Sequence, residues 1–241
     1  MTALPTRKLE AFRYADIEAL ASVWSDLALP EIIEIAAQQS LQQIWMPSDA
    51  EVQVRRVKIM LHAGASAHIF ALNTAARYGR IELDVTLHDG ADFAFDAANI
   101  GGGEATLEIV TTVRHVEPNA TSRQAIRSVL GGKAAGSYLG KVAVSRGADG
   151  TDSVQSIKAM LLNRGATANA KPELEIYADD VKCAHGATVG ELDKTALFYL
   201  AARASSAMPR SSPSMPSHNP PTNPSSSNAR APAGSSPRAA A

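Results

Sequence analysis

Residues 180–190 read "DVKCAHGATVG" and hold the chain's only cysteine, Cys183, two positions before His185. A thiol and an imidazole at this spacing can serve three ends: two ligands for a metal, a nucleophile with its base, or two side chains of a core. On an extended strand, residues i and i+2 share a face and lie ~6–7 Å apart. That is too far for a tight thiol–imidazole pair unless the turn at Gly186 folds them together. Two ligands pointing the same way are sterically easier, but two are too few for a closed zinc site and there is no second cysteine. Any metal here needs help from another chain. A free cysteine also behaves as a small buried hydrophobe, which would put Cys183 in a core and give His185 a hydrogen-bonded place at its end. In all three cases Val181, Cys183, His185 and Ala187 share one face, and Lys182, Ala184 and Gly186 the other. The remaining histidines, His62, His68, His88, His115 and His218, are scattered, and His115 beside the turn in "VRHVEPNATS" reads as structural.

The elements that must position this pair are strands. From about residue 40 to 190 the dominant period is two, in "VQVRRVKIML", "GRIELDVTL", "ATLEIVTTV", "GKVAVS" and "PELEIYADDV". Gly, Asn, Asp and Ser clusters such as "HDGAD", "NIGGGEA" and "SRGADGTDS" separate them. No amphipathic helix alternates with these strands, so a doubly wound α/β fold loses its support. Strand starts at Ile81, Leu107, Tyr138 and Leu174, each followed by a second strand, form a loose repeat of growing length. Two or three strands per irregular coil without helices is what a β-solenoid needs, since each coil buries its apolar face against its neighbours. An antiparallel sandwich shows the same alternation.

The ends differ. Residues 14–27, "YADIEALASVWSDL", have helical spacing, with Ile17, Leu20, Val23, Trp24 and Leu27 on one stripe and Asp16 as N-cap. Residues 191–203, "ELDKTALFYLAAR", also read as a helix, with Asp193 as N-cap. The expected organisation is a helical segment at 1–30, a β core at 31–190, the start of a helical region at 191–203 and a tail at 204–241. The tail holds 8 of the 13 prolines and 11 serines, with no acidic, aromatic, Leu, Ile or Val residue. Such a composition cannot offset its ordering entropy, so disorder is expected.

Composition narrows the function classes. The net charge of −1 gives no electrostatic reason to expect nucleic acid as partner, and aromatics are only 5% of residues. No stretch approaches the ~20 apolar residues of a membrane span, and no targeting segment follows Arg7 and Lys8, so a soluble cytoplasmic protein is expected. There is no GxxxxGK[ST] loop. "NIGGGEA" and "GGKAAGS" lack the following helix whose N-terminus would hold a phosphate.

The segment "NAKPELEIYADDVKCAHGATVGELDKTALFYLAAR" (169–203) closely resembles the signature block of the SufB/SufD family of iron–sulfur cluster assembly proteins of the SUF system. The form "KCAHGATVG" is similar to the SufD branch. "LPTRKLEAFRYADI", "VTTVRHVEPNATSRQAIRSVL" and "SYLGKVAV" resemble further family segments in the expected order, over about residues 4–203. The resemblance implies a mainly β fold, a right-handed parallel β-helix with short flanking helices. It implies a non-enzymatic scaffold that pairs with SufB through β-helix edges, works with the ATPase SufC and holds an iron–sulfur cluster only transiently, at the interface. Carried over by motif, the histidine offered to iron or the nascent cluster is His185; Cys183 matches the family's cysteine position without an assigned ligand role. In the family the helix at 191–203 continues into helices that dock SufC. Here Ala204 and the Pro/Ser tail follow Arg203, so the resemblance implies a copy without that docking region. A homodimer, a β-solenoid enzyme using Cys183 and His185, and a purely structural binding module are the alternative expectations.

Overall fold

The alternation of apolar and polar residues folds into twelve strands and almost no helix in the computed structural model, which describes residues 3–27, 29–191, 195, 198, 199 and 203. The strands are β1 (Glu31–Ile35), β2 (Ser40–Trp45), β3 (Val52–Leu61), β4 (Ser66–Asn73), β5 (Tyr78–Leu87) and β6 (Asp92–Gly101). They continue as β7 (Thr106–His115), β8 (Thr121–Leu130), β9 (Ala135–Val144), β10 (Thr151–Leu161), β11 (Thr167–Ile176) and β12 (Val181–Glu191). Odd strands form one parallel sheet in the order β1-β3-β5-β7-β9-β11, and even strands form the other, from β2 to β12. Each coil therefore contributes one strand to each sheet, and six coils stack into a parallel β-solenoid. The sandwich alternative is excluded, because every strand pair among the described residues is parallel.

Register shows the true repeat. Glu31 faces Val57, Val52 faces Tyr78, Tyr78 faces Thr106, Thr106 faces Ala135 and Ala135 faces Thr167, so a coil takes 26 residues at first and 32 at the end. The strand starts aligned from sequence were offset: Ile81 stacks on Ile109 and Tyr138, not on Leu107, and Leu174 stacks on Val142. The turns between the sheets carry the extra length. Most coils place one left-handed residue in the turn leading into the even strand: Gln38, Gly64, Gly90, Asn119 and Gly150, with φ between 60° and 74°. Each donates its N–H to a carbonyl of the next turn, from Ala63, Asp89, Pro118, Asp149 and Asp180. Glycine takes this conformation without a Cβ penalty and Asn tolerates it, which explains the turn residues read from sequence.

Inward-facing residues of both sheets interlock into one core, including Leu83, Val85, Phe93, Phe95, Ile109, Val113, Ile126 and Val142. Asp16 does cap a helix, its carboxylate accepting the Ala19 N–H at 3.0 Å. That helix, α1, spans only Ile17–Ala21, not residues 14–27. Beyond it the chain closes tighter turns, Val23 to Leu20 and Asp26 to Val23. The Ser22 hydroxyl also donates back to the Ala19 carbonyl, and Ser22, Val23 and Ser25 are weak helix formers. The stripe still does its work: Ile17, Leu20, Trp24 and Leu27 pack with Tyr78, Val52 and Val54 on the odd-strand sheet. Beneath this segment Arg80 is fully buried, bridging Glu108 at 3.1 Å, Glu82 at 3.0 Å and the Ala11 carbonyl at 2.9 Å. The Tyr78 hydroxyl donates to Glu108, and the Arg80 guanidinium lies 4.3 Å from the centre of the Phe12 ring.

The helix expected at 191–203 lies mostly outside the described residues; of those described, Arg203 donates to the Tyr199 hydroxyl at 3.0 Å and its guanidinium lies 5.5 Å from the centre of that ring. The tail at 204–241 lies wholly outside them. Among the described residues, no helix is long and apolar enough to cross a membrane.

Candidate functional site

Cys183 and His185 lie on β12, the last strand of the even sheet, which pairs with β10 alone. Register puts Cys183 on Ser153, His185 on Gln155 and Ala187 on Ile157, all three partners buried. The face shared by Val181, Cys183, His185 and Ala187 is therefore the inward one. No seventh coil covers it among the described residues, so β12 is largely exposed along its inward face. Cys183 is half-buried and packs on the core, while His185 is exposed and hydrogen-bonds to no described residue.

The columns leading to this pair change character along the solenoid. Beneath Cys183 the stack runs Ser153, Ser122, Phe93 and Ala67; beneath His185 it runs Gln155, Gln124, Phe95 and Ile69. The early coils are apolar and the late ones polar. The Ser153 and Ser122 hydroxyls are 2.8 Å apart, and Ser122 meets His115 Nε2 at 2.9 Å. In the second column, Gln155 Nε2 donates to the Tyr138 hydroxyl, which donates to Gln124 Oε1, each at 3.1 Å. The Thr111 hydroxyl donates to the same Gln124 oxygen at 2.7 Å. Three buried atoms of these networks have no hydrogen-bond partner: Gln124 Nε2, Gln155 Oε1 and His115 Nδ1. Each such atom costs about 1–3 kcal/mol relative to water, so fold stability does not explain this polar interior.

The network was not recognised from sequence, although its signal is there. "SRQAI" (122–126), "SVQSI" (153–157) and "CAHGA" (183–187) are three in-register copies of one inward pattern. Offset alignment of the strands hides it. A small residue keeps its room: a Cβ on inward-facing Gly140 would collide with the Tyr138 hydroxyl and ring.

Electrostatics argue against a nucleophile. Burial pushes the Cys183 thiol up, the Asp152 carboxylate adds to this, and the Ser153 backbone pulls weakly the other way. An activated cysteine needs the reverse. Burial pushes His115 down to about 4, with the Ala120 backbone opposing, so it is neutral at pH 7 and structural. His62, His68 and His88 lie elsewhere: His62 and His88 stack at 5.4 Å and pair with Glu34 and Glu117, and His68 pairs with Asp96. None joins His185, and His218 is outside the described residues. No group of three or more His, Cys, Asp or Glu among the described residues is arranged to hold a metal ion. The pair supplies at most two donors, short of the four of a closed tetrahedral site.

A family model described as SUF system FeS cluster assembly, SufBD core domain, matches residues 29–207. Iron-sulfur cluster assembly protein SufD of Escherichia coli (strain K12) is 39% identical over 93 residues, 39% of this chain and 22% of that protein. A SufBD family iron-sulfur cluster assembly protein of Synechocystis is 32% identical over 133 residues, 55% of this chain and 29% of its own length. The chloroplastic protein ABCI7 of Arabidopsis thaliana is 27% identical over 187 residues, 75% of this chain and 38% of that protein. The chain thus spans well under half the length of these relatives.

Proposed function

The chain belongs to the SufBD family of SUF-system iron–sulfur cluster assembly proteins, and from that premise we propose that it is a non-enzymatic scaffold subunit that pairs with SufB and offers His185 to iron or the nascent cluster at their interface. The cluster is cargo, held transiently and completed by donors from the partner chain. The observation that carries this reading is the terminal coil. Among the described residues its strands β11 and β12 each pair on one side only, and its exposed inward face presents an imidazole with no hydrogen-bond partner. Unpaired strand edges are templates for another chain. A partner adding strands here would cover the polar columns and bring its own ligands to His185. Cys183, half-buried with a raised thiol, is a core residue beside the site. ATP-driven rearrangement by SufC belongs to the assembled complex, and its docking depends on helices that follow residue 203 in the family.

The test is co-expression of the full chain with SufB and SufC from one source, followed by size-exclusion chromatography. Co-elution with SufB that Thr188→Pro on β12 abolishes is the expected result. Co-elution unaffected by that substitution would place the interface elsewhere, and no co-elution at all would refute the pairing. The ATPase SufC is expected to co-elute only when those additional helices are supplied.

A further inference from the structure

Gln155 is 1% exposed, and its Oε1 has no hydrogen-bond partner. Its other amide end is pinned, because Nε2 donates to the Tyr138 hydroxyl at 3.1 Å. Glutamines stacked in register can form an amide ladder, which here would join Gln124 Nε2 to Gln155 Oε1. That bond is absent, since both atoms are unpartnered and both amides are instead tied to the Tyr138 hydroxyl. Gln155 Oε1 is thus a desolvated acceptor. On its other side, in register on the next strand and facing the same way, stands His185. Adjacent strands lie ~4.8 Å apart, within reach of an imidazole N–H. In the same column Cys183 sits over Ser153, whose hydroxyl is already engaged by Ser122. On the side of Gln155 away from Gln124, the ring of His185 is the side-chain donor that the register offers.

We propose that Gln155 is the positioning residue for His185: the two are not bonded in this structure, and a turn of the exposed ring lets Oε1 accept one ring N–H, fixing the tautomer so that the other, unprotonated nitrogen faces the partner and iron. This rests on the reading of His185 as a ligand. Ligating histidines characteristically donate their second N–H to such an acceptor, and loss of it weakens metal binding 10–100-fold. The buried amide then has a use that its cost to the fold does not explain. Tyr138 and Gly140 belong to the same device, one holding the amide and the other leaving room for the tyrosine.

The test is 15N NMR of the full chain labelled at histidine, with His185→Ala assigning the resonance. Wild type should show one dominant His185 tautomer. Gln155→Leu should show a mixture, and Gln155→Glu, which keeps an acceptor, should restore the single form. Cobalt(II) added to the same samples should broaden the His185 signal, with Gln155→Leu needing about 10-fold or more cobalt. Equal tautomer populations in wild type and Gln155→Leu would overturn the proposal. If cobalt spares His185 in wild type while the tautomer is locked, the ligand reading fails and the Gln155 contact stands. Chemical shifts of the other histidines report whether either variant is folded.

Discussion

Removing one oxygen atom, in Tyr138→Phe, tests whether the interior network is bonded as described. The hydroxyl is fully buried, and burial holds its pKa well above the ordinary phenol value. It accepts from Gln155 Nε2 and donates to Gln124 Oε1. Phenylalanine keeps the ring, so no cavity of consequence opens. Gln124 Oε1 retains the Thr111 hydroxyl, but Gln155 Nε2 loses its only partner among the described residues and becomes a buried orphan. One new unsatisfied donor costs about 1–3 kcal/mol and the lost bond to Gln124 about 1 more, so the variant should be destabilised by about 2–4 kcal/mol. Urea unfolding followed by far-UV circular dichroism measures this as a lower midpoint with unchanged slope. Adding Gln155→Met removes the orphaned amide, so the double variant should recover about 1–2 kcal/mol over Tyr138→Phe alone. A loss below about 0.5 kcal/mol, or strictly additive effects, would refute the network.

Three further predictions follow from buried groups. His115 has a folded pKa of about 4 against an unfolded value near 6.5, so the unfolded chain binds the proton more readily. Stability should fall by up to about 3 kcal/mol as pH drops from 6.5 to 4, and His115→Gln should flatten that part of a stability–pH profile. Arg80→Met leaves the buried Glu108 carboxylate without its cation and should cost about 3–5 kcal/mol in thermal or urea unfolding. Cys183, its thiol pKa raised, should react with iodoacetamide at pH 7 more slowly than free cysteine; faster reaction would revive the enzyme alternative.

The strands were legible because each inward position is apolar over most of the chain, and two-residue alternation survives even where the coil length drifts. The stacking register was not, because turns of changing length move the strand starts and apolar residues occur at several equivalent positions. Ile81 and Leu107 look alike in sequence, yet only Ile109 lies on Ile81. The helix expected at 14–27 is confined to Ile17–Ala21 because a 3.6-residue stripe also fits a succession of tight turns when the apolar side chains have a sheet to pack on. Asp16 was readable, since capping is local. Cys183 and His185 were conspicuous as residue types, and their shared inward face followed from parity alone. That the face is open follows only from β12 being the last described strand of its sheet. Gln155 is marked only by its in-register likeness to Gln124 and Tyr138 by no motif, and their roles depend on contacts 14 to 27 residues apart.

The most direct test of the central claim is cluster reconstitution on the purified pair of this chain with SufB, using ferrous iron and sulfide without oxygen, in wild type and His185→Ala. The account predicts equal co-elution of the two pairs, with visible cluster absorbance and bound iron retained by wild type and lost from the variant. Equal cluster yield in both would show that His185 is not offered to the cluster and would contradict it.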